Sequence, residues 1–196
     1  VQGELLIEPR MRRYRLERLT VDLTAGAVAS VLPAQLLDYR AAADVALRWN
    51  IGFLVGTFGG YYAETVQKPF SIGPGASIPA GFYGMWQAGV RGETPYVWPV
   101  SGSLYLRFAD NYGGRQSLLD LSLNAQPVNG LQLTVAAELQ HTRFSDARGE
   151  LFTAALNGRL GLGFTPTLGF DTFIAWNNLA DLVRVQARLR QVNLKI

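Results

Sequence analysis

The most constraining feature of the sequence is a two-residue alternation of apolar and polar side chains. Residues 120–140 read DLSLNAQPVNGLQLTVAAELQ, in which Leu, Val or Ala occupies every second position on both sides of a turn at 127–130. Successive side chains of a β-strand point to opposite faces, so a period of two predicts strands, and Asn-Gly between two such runs is a strong hairpin signal. The stretch is therefore predicted to be a β-hairpin with one apolar and one polar face.

The same alternation recurs along the whole chain and predicts an all-β protein. With weaker runs at 3–8, at 51–62 and at the C-terminal end, about a dozen strands are expected. The clearest of the other runs are 18–29, 39–49, 82–90, 98–108, 152–164, 168–176 and 183–189. Neither a helical period nor a linker interrupts the pattern, so residues 1–196 are predicted to form a single domain.

Composition and strand length decide what the apolar faces are expected to contact. Only 17% of the residues are charged, and lysine, which soluble β proteins place on wet faces and edges, occurs only at Lys68 and Lys195. The apolar face of 152–164 would cover about 28 Å along a membrane normal, close to the ~25 Å apolar band of a transmembrane barrel. These features favour an antiparallel up-and-down transmembrane β-barrel over a soluble barrel or sandwich, which stays the alternative.

The connections between strands are predicted to alternate in length. Short turns are expected at 49–52, 92–95, 127–130 and 165–167, and longer polar loops at 30–38, 63–81, 109–116 and 141–150. Outer-membrane barrels combine short periplasmic turns with longer external loops. The predicted location is therefore the bacterial outer membrane, with its lipid as the first partner.

In such a barrel the polar face lines a lumen, and aromatic residues near the strand ends form girdles at the two membrane interfaces. The predicted pore-lining residues are Arg40, Asp44, Arg48, Arg91, Arg107, Asp120, Glu138, Arg159, Arg184 and Arg188. The predicted lipid-facing girdle consists of Trp49, Trp98, Phe108, Phe152, Phe164 and Trp176. With Asp171 added, the lumen face carries seven arginines and four carboxylates, which predicts a mild preference for anions if the lumen is open.

The region from Phe70 to the C-terminus resembles a known bacterial family. The segments PFSIGPGASIPAGFY (69–83), YLRFADNYGGRQSLLDLSLNAQP (105–127) and LNGRLGLGFTPTLGFDTFIAWNNLADLVRVQARLR (156–190) are similar to the C-terminal outer-membrane β-barrel domain of that largely uncharacterised family. The motif positions are Phe70, Ile72, Ile78, Pro79, Gly81, Tyr83, Phe164, Pro166, Trp176, Asn177, Arg188 and Arg190. Its members usually carry an N-terminal module similar to family-9 carbohydrate-binding modules. The resemblance implies an outer-membrane barrel in a Gram-negative bacterium.

The chain departs from that family near both ends. The carbohydrate-binding-like module is absent, and QVNLKI stands where the family continues with an aromatic residue, an Arg-Pro-Gly turn and a further hairpin. The last residue is Ile196 rather than an aromatic residue. The sorted loops also place the start of the first strand on the long-loop side, whereas both termini of a complete barrel normally lie in the periplasm. We therefore expect strands to be missing at both ends.

Residues with catalytic chemistry are sparse. His141 is the only histidine, and without a G-x-S-x-G element it is expected to be an exposed loop residue. Carboxylates on separate predicted strands are expected to form lumen salt bridges rather than an acid–base pair; these are Asp44, Asp120, Glu138 and Asp171. Cysteine is absent and no cluster has metal-ligand spacing, so neither enzymatic activity nor a cofactor or metal is predicted.

An arginine-rich stretch, PRMRRYRLER at 9–18, has the charge to bind phosphates of nucleic acid or of lipid head groups. Only Tyr14 offers a stacking surface there, so a solvated or head-group-facing turn is expected and no nucleic-acid partner is predicted. The sequence thus predicts a passive pore, or the membrane part of a transport or surface assembly. The alternatives are a non-conducting barrel that anchors partner proteins and a soluble ligand-binding β-barrel.

Overall fold

A computed structural model describes residues 2–7, 16–30, 35–73, 76–144, 149–165 and 167–191, and these residues form an all-β structure. Thirteen strands run along them. They are β1 (Gln2–Ile7), β2 (Leu16–Ser30), β3 (Gln35–Trp49), β4 (Leu54–Val66), β5 (Phe70–Gly73), β6 (Ala76–Ile78), β7 (Gly81–Glu93), β8 (Val100–Asn111), β9 (Gly114–Ala125), β10 (Leu131–Phe144), β11 (Glu150–Gly163), β12 (Leu168–Asn177) and β13 (Leu182–Gln191).

Eleven of the strands form one antiparallel meander, in which each strand pairs with its neighbours in the chain. The exceptions are β5 and β6, which form a separate two-stranded hairpin within the connection from β4 to β7. The prediction of an all-β, antiparallel, up-and-down architecture is confirmed.

The sheet has two edges, β1 and β13, and no ladder among the described residues joins them into a closed barrel. Neighbouring strands of this sheet run in opposite directions, and β1 and β13 are its first and eleventh strands. They therefore run in the same direction. Every residue of β13 is exposed, as is typical of a strand with one paired side. The predicted closure is therefore not seen in the described part of the chain.

The register keeps all the apolar runs on one side of the sheet, which we call the apolar face. One row of directly opposed residues crosses seven strands on this face and consists of Val21, Val45, Thr57, Val90, Leu106, Leu119 and Leu139. Since the side-chain period is two, a slip of one residue in any pair would move a whole strand's apolar set to the other face. The antiparallel ladders therefore preserve the alternation that the sequence displays.

The apolar face is the exposed one, and the opposite side, which we call the polar face, is the more enclosed. Side chains such as Leu23, Val185 and Leu189 on the apolar face are 57%, 65% and 68% exposed. On the polar face, Met85 and Thr142 are only 1% and 2% exposed. A sheet of a soluble protein places its apolar side against a core; here the arrangement is reversed.

The predicted sorting of loops by length is wrong. At one end of the sheet the connections are 31–34, 67–80, 112–113, 145–149 and 178–181; at the other they are 8–15, 50–53, 94–99, 126–130 and 164–167. Apart from 67–80, which contains the β5–β6 hairpin, the two ends do not differ systematically. The strands extend into stretches whose polar composition resembled loops, because ladder hydrogen bonds require only backbone groups.

The connection predicted at 109–116 shows the reason most clearly. Here β8 continues to Asn111 and β9 begins at Gly114, so only Tyr112 and Gly113 lie between them. Both have positive φ, at 47° and 80°, as a two-residue type I′ hairpin turn requires.

Two glycines on the apolar face provide a matched test of this tight sheet. A side chain at Gly102 would place Cβ 2.6 Å from the carbonyl oxygen of Ser122, whereas a Cβ at Gly158 would meet nothing within 4 Å. We expect Gly102→Ala to lower the free energy of unfolding by about 1–3 kcal/mol, because the backbone of β9 must shift. Gly158→Ala should raise it by about 0.4–1 kcal/mol by restricting the unfolded chain. Urea unfolding in detergent micelles measures both, and equal effects would contradict the register.

Candidate functional site

All ten predicted pore-lining residues lie on the polar face. The cross-strand pairs place Asp44 opposite Phe58, Arg91 opposite Gly56, and Glu138 opposite Asp120, with alternating positions of each strand continuing the same face. Arg40, Arg48, Arg107, Arg159, Arg184 and Arg188 follow by the same register. A period of two within each strand, together with an in-phase register, is sufficient to bring these distant residues together.

An ion pair crosses the middle of the polar face. The Arg91 guanidinium on β7 lies 2.6 Å from the Asp44 carboxylate on β3, although β4 runs between these strands. Gly56 is the β4 residue opposite Arg91, and a Cβ there would lie 2.9 Å from Arg91 Nε. The missing side chain therefore lets the arginine lie flat across β4 and reach its partner.

An aromatic pair on the polar face also makes contact across a glycine of the strand that lies between its two members. Phe58 on β4 stacks on Tyr105 of β8, with ring centroids 5.2 Å apart and an interplanar angle of 10°. Between them on β7 is Gly89, where a Cβ would lie 2.3 Å from the Phe58 ring. Nearby, Arg107 donates a 2.6 Å hydrogen bond to the Gln116 amide oxygen. The polar face thus combines charged, amide and aromatic groups.

The carboxylates divide into two kinds. Asp44 is paired with Arg91, and Asp171 lies 3.3 Å from Arg159, so salt bridges form at two of the four carboxylates for which they were predicted. Asp120 and Glu138, in contrast, are directly opposed on β9 and β10 and have no ion pair to a described residue. Two like charges opposite one another are mutually destabilising.

A cluster of apolar and aromatic side chains closes one end of the polar face, and we call it the end cluster. Its buried members are Val66, Ile78 and Phe144, with Tyr83 and Tyr112 packed against them. The two-residue pattern did not predict this cluster, because four of its five residues lie within stretches predicted to be loops. The apolar residues that lie between the Pro and Gly residues of 69–81 were the one sequence feature that could have indicated a buried segment there.

Tyr112 connects the end cluster to the strands. Its hydroxyl donates a short hydrogen bond to the Glu64 carboxylate, and its ring meets those of Phe70 and Tyr83 edge-on, at 5.5 and 5.2 Å. Burial first, and then the hydrogen bond to Glu64, raise the pKa of the Tyr112 phenol above its ordinary value. The folded protein therefore favours the neutral phenol.

The predicted girdle residues lie at the two ends of the sheet. Phe108, Phe152 and Trp176 are near one end on the apolar face, and Trp49 ends β3 at the other. Trp98 and Phe164 were expected within strands but lie in connections, because turns with Pro95 and with Leu168 hold their backbone N–H groups. Four further aromatic residues extend the first group on the apolar face; they are Tyr39, Tyr61, Phe82 and Trp86.

The residues with catalytic chemistry do not assemble into a hydrogen-bonded site. His141 is exposed near the end of β10, not in a loop as predicted, with Ser117 opposite it on β9. Its Nε2 lies 3.5 Å from Glu150 Oε2, and Arg143 Nε lies 3.1 Å from the other carboxylate oxygen, Oε1. No hydrogen bond joins Ser117, His141 and Glu150 in the described structure, so the relay of a nucleophile and its base is not formed.

The described residues were also compared with the requirements of a metal site and of a membrane-spanning helix. Among the described residues no group of three or more His, Cys, Asp or Glu side chains is placed to hold a metal ion. In the same residues no helix has the length and apolarity to cross a membrane. Of the arginine-rich stretch 9–18, only residues 16–18 are described, so the prediction for Arg10, Arg12, Arg13 and Arg15 lies outside the described residues.

Neutralising a carboxylate paired with an arginine and neutralising one opposed to another carboxylate should have opposite effects on the free energy of unfolding. Asp44→Asn should lower the free energy of unfolding by about 1–3 kcal/mol, because Arg91 loses its charged acceptor. This loss exceeds the ~0.2–1 kcal/mol gained by relieving repulsion with Asp22, which is directly opposite Asp44. Asp120→Asn should raise it by about 0.2–1 kcal/mol by relieving repulsion with Glu138. Urea unfolding in micelles compares them, and a shared sign would contradict the assigned contacts.

The raised pKa of the Tyr112 phenol predicts a pH dependence. Because the folded state favours the neutral form, this contribution to stability is complete below the ordinary pKa of 10.0 and is lost as the pH rises above it. Above that pH the melting temperature of the wild type should fall more steeply with pH than that of Tyr112→Phe. Tyr96→Phe, at a residue that is 75% exposed, is the control and should retain the wild-type profile.

No family model, curated protein or solved structure matches the chain. The family resemblance therefore stays a prediction from the sequence motifs.

Proposed function

We propose that the chain is the membrane-embedded sheet of an outer-membrane β-barrel whose polar lumen passes small solutes passively. The observation that carries the proposal is the reversed sheet, with an apolar face exposed over its strands and a polar face enclosed. A contiguous apolar surface of this kind is unfavourable in water and favourable in lipid. The lipid of the outer membrane is the proposed partner of the apolar face.

Strand length supports a membrane setting. The strands from β2 to β11 that belong to the main sheet contain between 12 and 15 residues. A tilted strand needs about 9–11 residues to cross the hydrocarbon core of a bilayer. Aromatic residues at both ends of the apolar face, including Phe108 and Trp49, are where interfacial girdles lie in such barrels.

The charges of the polar face support a preference for anions. Asp44 and Asp171 are neutralised by arginines, whereas Arg184 and Arg188 on β13 form no ion pair with a described residue. Arg190 adds a further positive charge to the same face of that strand. The polar face as a whole carries nearly as many carboxylates as arginines, since Asp22, Asp38, Glu64 and Glu93 also lie on it. The proposed preference for anions therefore rests on the unpaired arginines of β13, because such positive charges bias a pore towards anions.

A second candidate function is a non-conducting barrel that anchors or scaffolds partner proteins. The end cluster favours it, since the buried Ile78 and Phe144 fill one end of the polar face with apolar side chains. A soluble ligand-binding barrel is the third alternative, and a monomer that stays folded without detergent would support it.

Reconstitution in planar bilayers separates these functions. The wild type should show discrete conductance steps, with a reversal potential in a KCl gradient that indicates anion preference. Arg40→Glu combined with Arg48→Glu should shift the preference towards cations, because both arginines lie on the polar face of β3. Arg115→Glu is the matched control. Arg115 is exposed and lies opposite Arg143 on the apolar face, outside the proposed lumen, so this change should leave the reversal potential unchanged.

Insertion is verified independently by flotation of the protein with lipid vesicles. Protein that inserts and folds but leaves the bilayer sealed would contradict the pore and favour the scaffold.

A further inference from the structure

The β5–β6 hairpin does not behave as a surface loop. It lies in the connection between β4 and β7, where Phe70 pairs with Ile78. Connections normally run over a protein surface and are solvated. Ile78, however, is 0% exposed and is one of the largest fully buried side chains among the described residues.

The neighbours of Ile78 show where the hairpin lies. Val66 belongs to β4 and Phe144 to β10, and β7, β8 and β9 run between these strands in the sheet. Both side chains are on the polar face, since Val66 pairs with Gly81 and Phe144 with Gly114 in phase with that face. These side chains can share one buried cluster only if the sheet curls and the hairpin folds inward across its polar side.

Several contacts hold the hairpin in that position. Phe70 lies edge-on to the Tyr112 ring, and the Tyr83 hydroxyl donates a 3.0 Å hydrogen bond to the Pro79 carbonyl oxygen. Tyr112 in turn is bound to Glu64 on β4 through its hydroxyl, and its backbone N–H lies 3.5 Å from the Met85 sulfur. The hairpin is thus tied to β4, to β7 and to the turn between β8 and β9.

We propose that the β5–β6 hairpin is the constriction of the lumen, and that its inward fold sets the size of the solutes that reach the polar face. The proposal rests on the proposed pore function and adds the element that limits passage. Ile78 lies buried in the end cluster, Tyr83 and Tyr112 pack against that cluster, and the Phe70 ring lies edge-on to Tyr112. Beyond this apolar end cluster lie the charged groups that would attract anions, including Arg107.

The position of the hairpin is testable without any assumption about conduction. The chain contains no cysteine, so paired substitutions give unambiguous thiol cross-links. With a short thiol-specific cross-linker, Ile78→Cys plus Phe144→Cys should link efficiently in micelles and in lipid vesicles. Ile78→Cys plus Phe152→Cys is the matched control, because Phe152 lies on the apolar face near the same end of the sheet, and it should not link. Equal linking of both pairs, or of neither, would overturn the inward fold.

The role of the hairpin is tested by conductance. Replacing residues 67–80 with an Asn-Gly turn should raise the single-channel conductance several-fold and admit larger uncharged polymers, with the β-sheet circular dichroism retained. Because a shortened connection can disturb folding, Ile78→Gly provides a second variant, in which a smaller increase is expected.

The outcomes separate the two proposals. If the wild type conducts and neither variant conducts more, the hairpin is not the constriction and the pore stands. If neither the wild type nor the folded, inserted variants conduct, the pore itself is wrong, and the constriction falls with it. If the wild type is sealed and the variants conduct, the passive pore is wrong for the wild type, and the hairpin is supported as the element that limits passage.

Discussion

The structure depends on the register of its antiparallel ladders. Every strand of the main sheet pairs with its neighbours in the chain, which satisfies the backbone N–H and C=O groups between the two edges. The same ladders keep Val21, Val45 and Thr57 in one row and Asp22, Asp44 and Phe58 in the next. An apolar and a polar face therefore arise together, and neither survives a slip of one residue.

Glycine allows this sheet to carry long side chains on its enclosed face. Arg91 crosses β4 above Gly56, and Phe58 crosses β7 above Gly89, because neither glycine presents a Cβ. The contacts that result join strands that share no ladder. Much of the cohesion of the polar face thus comes from pairs two strands apart in the sheet, with the intervening strand reduced to backbone.

The residues of the polar face could be predicted because only local information was needed. Arg40, Asp44 and Arg48 recur at even spacing within one strand, and an in-phase register extends their face to every other strand. Strand boundaries were less predictable, because polar residues such as those of 109–116 pair as well as apolar ones through the backbone. For that reason the expected difference between loops at the two ends is not found between the strands that the structure describes. Trp98 and Phe164 lie just outside strands because turns hold their backbone N–H groups.

By itself, the sequence determined the β-strands, their antiparallel hairpins and the separation of an apolar from a polar face, since a period of two is a property of the strand alone. The tertiary structure decided which face is enclosed, and it placed the end cluster. Ile78 and Phe144 lie 66 positions apart in the chain, and nothing local to either indicates that they belong to one buried cluster. Curvature of the whole sheet brings them together, and curvature depends on how all the strands twist and pack rather than on the pattern within any one of them.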